Sequence, residues 1–227
     1  MQNFYNILPK EYLHKKQNYK NYDKIKIDLP MRMIIVGASG SMKSNTMMNL
    51  LSQISAWEKI YLITKNPSEP LYQYLQDSIR DVEQKTGHHI LTVGTDVDEI
   101  PPVDDFSVDH PSIIIIDDQI AEKEAKLQTL NDHFVRSRKN GVSLIFISQS
   151  YFRINRLIRQ NASHIIMKNL ASKKDLDRIL AEYSLDLTKD QLLNKYKQAT
   201  QKQEDFFLLD LATLNPSLRY RRNYEPI

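Results

Sequence analysis

Short, dense apolar runs alternate along the chain with longer stretches in which apolar residues recur every three or four positions. Residues 31–37, 59–64, 142–148 and 164–168 are such runs, and at 112–116 the sequence SIIII is apolar on both faces. Runs of this length, rich in β-branched residues and bounded by turn residues, predict strands buried inside a parallel sheet. Between them, Met47, Leu50, Leu51, Ile54 and Trp57 sit at helical spacing and predict a helix over 44–57. Ser68 predicts the cap of a helix running to about Thr86, with Gly87 at its end. A polar amphipathic helix is predicted over 121–134, with Gly141 breaking the chain before the next strand, and a short helical piece around 154–161. Two later helices are announced by Ser172 with Asp175 and by Thr188 with Gln191, the second pair being the better capping box. Short strands are predicted at 89–93 and 205–211. Strands alternating with helices predict an α/β fold: a mostly parallel sheet covered by helices on both faces.

Length and composition bound this picture without changing it. The 227 residues suffice for one substantial α/β domain, expected over 30–215. It is preceded by a Tyr/Lys/Asn-rich arm at 1–29 and followed by a basic tail at 216–227, where solvated arginines are expected. Apolar residues make up 41% and charged residues 26%, the composition of a globular chain. Cysteine is absent, which excludes a disulfide framework and any thiolate metal site. His88 and His89 lack the spaced partners of a metal motif and read as part of a loop leading into a strand. The longest apolar run is too short to span a bilayer, and the opening residues lack the pattern of a secretion signal, so a protein that is not secreted is expected. The net charge of +3 means that any nucleic-acid contact must come from local patches.

The first strong strand runs directly into Gly37-Ala38-Ser39-Gly40-Ser41-Met42-Lys43-Ser44-Asn45 and then a helix. This is the context of a phosphate-cradling loop of the form G-x-x-x-x-G-K-[ST]. Backbone N–H groups at a helix N-terminus favour anions. Lys43 is placed to bridge β- and γ-phosphates, and Ser44 to ligate Mg²⁺. One residue departs from the pattern: position 42 holds Met where Gly is usual. Since position 42 falls where the helix begins, a right-handed conformation is expected there, with the flexible Met side chain turned away from the phosphates.

The acidic partner of such a loop is supplied by IIIIDDQ. Asp117, at the strand end, fits the carboxylate that organises Mg²⁺, and Asp118 fits the group that polarises an attacking water. The next strand ends in SQS, so Gln149 emerges where sheets of this kind bind ligands and is a candidate γ-phosphate sensor. Arg136 and Arg138, ahead of that strand, suit phosphate or a developing negative charge, one of them on a neighbouring subunit's nucleotide. The alternative is a pair of solvated helix-end arginines. Arg153, Arg156 and Arg159, interleaved with Tyr151 and Phe152, fit a DNA backbone, a subunit interface or a plain amphipathic surface.

Taken in order, GASGSMKS, IIIIDDQ and FVRSRKNGVSLIFISQSYFRINRLIRQN resemble the viral genome-packaging ATPases of the FtsK–HerA superclass over roughly residues 31–170. The resemblance implies a RecA-like P-loop NTPase core with an additional strand, binding ATP and Mg²⁺. It further implies a homo-oligomeric ring that drives double-stranded DNA into a preformed capsid, with a capsid or portal-vertex protein as partner. The place of action it implies is the viral assembly site in the host cytoplasm, or the virion. On this resemblance Arg136 or Arg138 is the finger acting in trans, and RSRK departs from the family's more familiar Arg-Gly-Arg-His pattern. Two other readings stand beside the motor: a nucleotide-gated scaffold that recruits DNA or capsid protein with impaired hydrolysis, and another P-loop translocase or helicase.

Overall fold

A computed structural model describes residues 17–117, 124–185 and 187–227. One nine-stranded sheet runs through it in the order β3-β2-β4-β5-β1-β6-β7-β8-β9. Its parallel part consists of β1 (Arg32–Val36), β2 (Lys59–Thr64), β3 (Leu91–Gly94), β4 (Ser112–Asp117), β5 (Val142–Ser148) and β6 (His164–Met167). Three antiparallel strands extend it: β7 (Phe207–Asp210), β8 (Tyr220–Arg222) and β9 (Glu225–Pro226). β5 lies between β1 and β4 and pairs with both, so it is the additional strand that separates the loop-bearing strand from the acidic one.

The period-two geometry of the strands divides their side chains between two cores. Ile34, Val36, Ile114, Ile116, Leu144 and Phe146 face one side. Met33, Ile35, Ile113, Ile115, Ile145 and Ile147 face the other. The first side is covered by α4 (Glu124–Arg136), α5 (Arg156–Asn161), α6 (Lys173–Tyr183) and α7 (Lys189–Ala199). The second is covered by α2 (Lys43–Ile54) and α3 (Pro70–Thr86). Both faces of the central strands are therefore dry, which is why their sequences show continuous apolar runs instead of alternation. Each buried Ile or Leu contributes roughly 1.5–3 kcal/mol relative to exposure.

Local chemistry sets the helix ends. Thr188 and Gln191 make the reciprocal capping box at α7. At α6 the Ser172 side chain accepts from Asp175 N, but the Asp175 carboxylate turns away to accept from Ser150 Oγ at 2.8 Å. The cap expected at Ser68 is not made: α3 starts one turn position later, with Glu69 at its N-cap and Pro70 in the first turn. Pro is preset for the first helical position, where its missing N–H would have no partner within the helix.

Two terminal segments differ from the sequence expectation. Of the segment read as an arm, Tyr19, Ile25, Ile27 and Leu29 are buried in the core beneath the second face. The short helix α1 (Tyr22–Ile25) carries Ile25 into that core. The basic tail is not a solvated terminus either: it forms β8 and β9, and Arg221 is fully buried. Its guanidinium donates to Asp210 at 2.7 Å and to the carbonyl of Ile25 at 2.8 Å, which ties the two ends of the chain together. Among the described residues, no helix is long and apolar enough to cross a membrane.

Candidate functional site

β1, β5 and β4 end level with one another. Val36 pairs with Ser148, Ile147 with Asp117, and Gly37 N donates to Ser148 O at 3.2 Å. The loop after β1, Gln149 after β5 and Asp117 on β4 consequently meet at one edge. They line a single cavity of about 620 Å³ together with Thr64, Lys65, Asn66, Glu69 and Leu71. Ser39 through Asn45 form one wall of it.

The loop holds its shape for identifiable reasons. A Cβ on Gly37 would lie 2.5 Å from Ser41 Oγ and 2.6 Å from Lys168 Cβ, so no larger residue fits there. Gly40 takes φ +71. The Lys43 ammonium folds back onto the loop, donating to the carbonyls of Gly37 at 3.0 Å and Ala38 at 2.9 Å. Ser41 Oγ is buried and makes no hydrogen bond among the described residues, although it lines the cavity. A hydroxyl so placed suits an oxygen-rich ligand, since burying a polar group without a partner is costly.

Met42 corrects the sequence expectation. Its backbone is left-handed, with φ 65 and ψ 35, and it precedes the helix as an N-cap that makes no side-chain bond. The Gly of the usual pattern is therefore a conformational requirement at this position, and the Met meets it at a cost. Its side chain is exposed.

One residue at the site was not anticipated. Tyr72 of α3 is completely buried, and its phenol donates to Asp117 Oδ2 at 2.5 Å. Burial pushes the phenol's pKa up, and the neighbouring Asp117 carboxylate pushes it further, so it remains a neutral donor. The spacing of Tyr72 and Leu75 on the inner face of α3 marks Tyr72 as a core residue; nothing local in the sequence says that its hydroxyl reaches Asp117. Ser44 and Asp117 line the cavity with an alcohol and a carboxylate oxygen, donors that fit a hard divalent cation such as Mg²⁺.

Of the remaining sequence candidates, Asp118 lies outside the described residues. Gln149 is exposed and lines the cavity. Arg136 and Arg138 are not at this edge. They lie where α4 ends and the chain turns into β5, at the opposite end of that strand from Gln149. The strand's length separates the two ends by roughly 20 Å. Arg136 is held by Asp104 at 2.9 and 3.2 Å, whereas Arg138 is exposed and makes no ion pair among the described residues. The second arginine cluster divides as well. Arg159 is half-buried, with its guanidinium 5.2 Å from the Tyr151 ring centroid and 5.0 Å from that of Phe152, and 3.7 Å from Glu182. Arg153 and Arg156 remain exposed.

A parallel sheet with an additional strand, a phosphate-type loop after β1 and an acid at the end of β4 define the fold of the P-loop ATPases. The chain belongs to the Poxvirus A32 protein family, which it matches over residues 17–209. It is 22% identical over 172 residues to the DNA packaging protein OPG160 of variola virus, an alignment covering 74% of this chain and 63% of that protein. The corresponding monkeypox virus protein is also 22% identical, with 57% of its length covered. The chain thus spans less than two thirds of the length of these relatives. Among solved structures it is similar to the genome packaging NTPase B204 of Sulfolobus turreted icosahedral virus 2 in complex with AMPPCP. That likeness has a TM-score of 0.58 and 18% identity, over 87% of this chain and 98% of the other. The complex of B204 with ATP-gammaS gives a TM-score of 0.57 and 16% identity, over 88% and 100%.

Proposed function

We propose that this protein is an ATP-driven motor that moves double-stranded viral DNA into a capsid during virion assembly. One observation carries the reading: Lys43, Ser44, Asp117 and Gln149, far apart in sequence, line one cavity at the ends of three adjacent strands. Lys43 leaves the loop carbonyls to hold the β- and γ-phosphates, and the loop N–H groups cradle them. Ser44 and Asp117, the latter accepting from the Tyr72 hydroxyl, would hold Mg²⁺. The chemistry such a cation would supply there is neutralisation of charge on the phosphates. Asp118 takes the proton of the attacking water, and Gln149 orients that water against the γ-phosphate.

Arg138 serves the nucleotide of a neighbouring subunit in a ring. This reading is supported by its position at the far end of β5, out of reach of its own cavity, and by its freedom from an ion pair among the described residues. Arg136, already bound by Asp104, braces the turn that carries it. Arg153 and Arg156 are the cations available to DNA phosphates on the surface that follows β5, while Arg159 is engaged within the protein. A capsid-vertex protein as docking partner and the viral assembly site as the place of action follow from the same proposal.

The experiment is ATP hydrolysis measured with and without duplex DNA. Lys43→Ala should abolish turnover, and Asp118→Asn should bind ATP yet barely hydrolyse it. Wild-type turnover no greater than that of both variants would sink the proposal.

A further inference from the structure

Gln149 is exposed, so its amide is aimed by the backbone of its turn and not by packing around the side chain. That turn is tied on both sides of the residue. The Ser148 hydroxyl, buried at the end of β5, accepts from Ser150 N at 3.1 Å and donates to Ser150 O at 2.9 Å. The two neighbours of Gln149 are thus pinned to each other. Ser148 is in turn fixed to the phosphate loop, its carbonyl accepting from Gly37 N at 3.2 Å.

The far side of the turn is held by α6. Three residues along that helix grip the three residues that follow Gln149. Asp175 Oδ2 accepts from Ser150 Oγ at 2.8 Å. The Tyr183 and Tyr151 hydroxyls are hydrogen-bonded to each other, with their rings edge to face at 6.2 Å. The Arg178 guanidinium lies over the Phe152 ring at 5.2 Å, and that of Arg159 at 5.0 Å. The helix itself is rooted in the core through Ile179 and Leu180, both fully buried. It is a firm support for a turn that would otherwise be exposed.

Asp175 is the member of this grip nearest to Gln149, and its carboxylate is not spent on its own helix. Ser172 caps α6 by accepting from Asp175 N, but the return bond that would complete a capping box is not made. The carboxylate instead meets a hydroxyl one residue from Gln149. A hydrogen bond to an ionised acceptor is shorter and stronger than a neutral one.

We propose that Asp175 is a positioning residue for Gln149: through Ser150 Oγ it holds the turn that presents the Gln149 amide to the phosphate-loop cavity. This assignment rests on the motor reading above, in which Gln149 orients the attacking water, and deepens it. Nucleotide binding falls to Lys43 and the loop, so Asp175 acts on turnover and not on affinity.

Steady-state ATP hydrolysis, read as kcat and KM separately, tests it. Asp175→Ala should lower kcat about 10–100-fold and leave KM within about twofold, as misplacement of an orienting group does. Ser150→Ala should do the same, and the double variant should fall no further, since either change removes the same bond. Asp175→Asn keeps an oxygen that accepts from Ser150 and should recover most of the lost kcat. That variant separates the bond from the favourable placement of a negative charge in the first turn of α6. In a Gln149→Ala background, Asp175→Ala should lower kcat no further. Wild-type kcat in a folded Asp175→Ala protein, equal losses in Asp175→Ala and Asp175→Asn, or a further loss on top of Gln149→Ala would each overturn the assignment. Should Asp175→Ala not fold, Ser150→Ala leaves α6 untouched, and a wild-type kcat there overturns it equally. Gln149→Ala with wild-type kcat removes the sensor role and this assignment with it. Wild-type protein without turnover removes the motor reading itself.

Discussion

Met42 and Tyr72 bracket the helix that carries Lys43 and Ser44, and each shapes the site by a different force. Met42 holds a left-handed backbone that costs an L-residue roughly 1–2 kcal/mol. Gly carries no such penalty but enlarges the entropy of the unfolded chain by an amount worth about 0.4–1 kcal/mol. Met42→Gly is therefore expected to fold, to bind nucleotide as the wild type does, and to gain up to about 1 kcal/mol in urea unfolding. A folded Met42→Gly protein without nucleotide binding would show that the Met side chain makes a needed contact. Tyr72 acts through its hydroxyl, which donates to the Asp117 carboxylate at the cavity edge. Tyr72→Phe keeps the buried ring and removes the bond. Nucleotide affinity without Mg²⁺ should stay as it is, while the Mg²⁺ concentration needed to strengthen binding should rise roughly tenfold, as for other groups that orient metal ligands. An unchanged Mg²⁺ titration would reduce Tyr72 to a packing residue.

The elements owe their positions to contacts between distant parts of the chain. α1 and β8, near opposite ends of the sequence, are joined by Arg221, which neutralises Asp210 and caps the carbonyl of Ile25 in one buried cluster. Burial alone would raise the pKa of Asp210, but His164 and Arg221 hold it below the usual carboxylate range. Removing one partner of a buried ion pair strands the other and typically costs about 3–5 kcal/mol. Arg221→Ala should lower unfolding stability by that amount in a denaturant titration at neutral pH. A loss under about 1 kcal/mol would mean that water reaches Asp210 in the variant. Tyr19, Ile25, Ile27 and Leu29 of the expected arm, and Tyr220 and Arg221 of the tail, join the core because charge and Tyr content do not reveal which side chains a sheet edge will cover.

At the scale of the whole molecule, the catalytic arrangement proposed here is split between two copies. The cavity sits at one end of β5 and Arg138 at the other. An arginine finger is typically worth a factor of ~10³–10⁵ in rate. Arg138→Ala should bind nucleotide normally and hydrolyse it poorly, and mixing it with Lys43→Ala should restore part of the activity. In mixed interfaces an intact phosphate loop from one copy meets an intact arginine from the other. If subunit exchange is demonstrated and the mixture remains as inactive as its components, the trans role is wrong.

The buried strands, most helix positions, the reciprocal cap at Thr188 and the phosphate-type loop were legible in the sequence, because each depends on neighbours a few residues away. Runs such as SIIII, β-branched and bounded by turn residues, read as strands dry on both faces, and Gly37, Lys43 and Ser44 announce a phosphate-type loop by their spacing. Even so, local spacing misjudged Met42, whose backbone hand is set by how the loop joins the helix over the sheet edge. What only the tertiary structure decided are the meetings across the fold: Tyr72 on Asp117, Arg221 on Asp210 and Ile25, Gln203 on Gly40, and Arg138 set at the far end of the strand from the cavity. These depend on strand order and on which residues end level with one another. No periodicity within a single segment encodes that, because the partners are brought together by the burial of other residues.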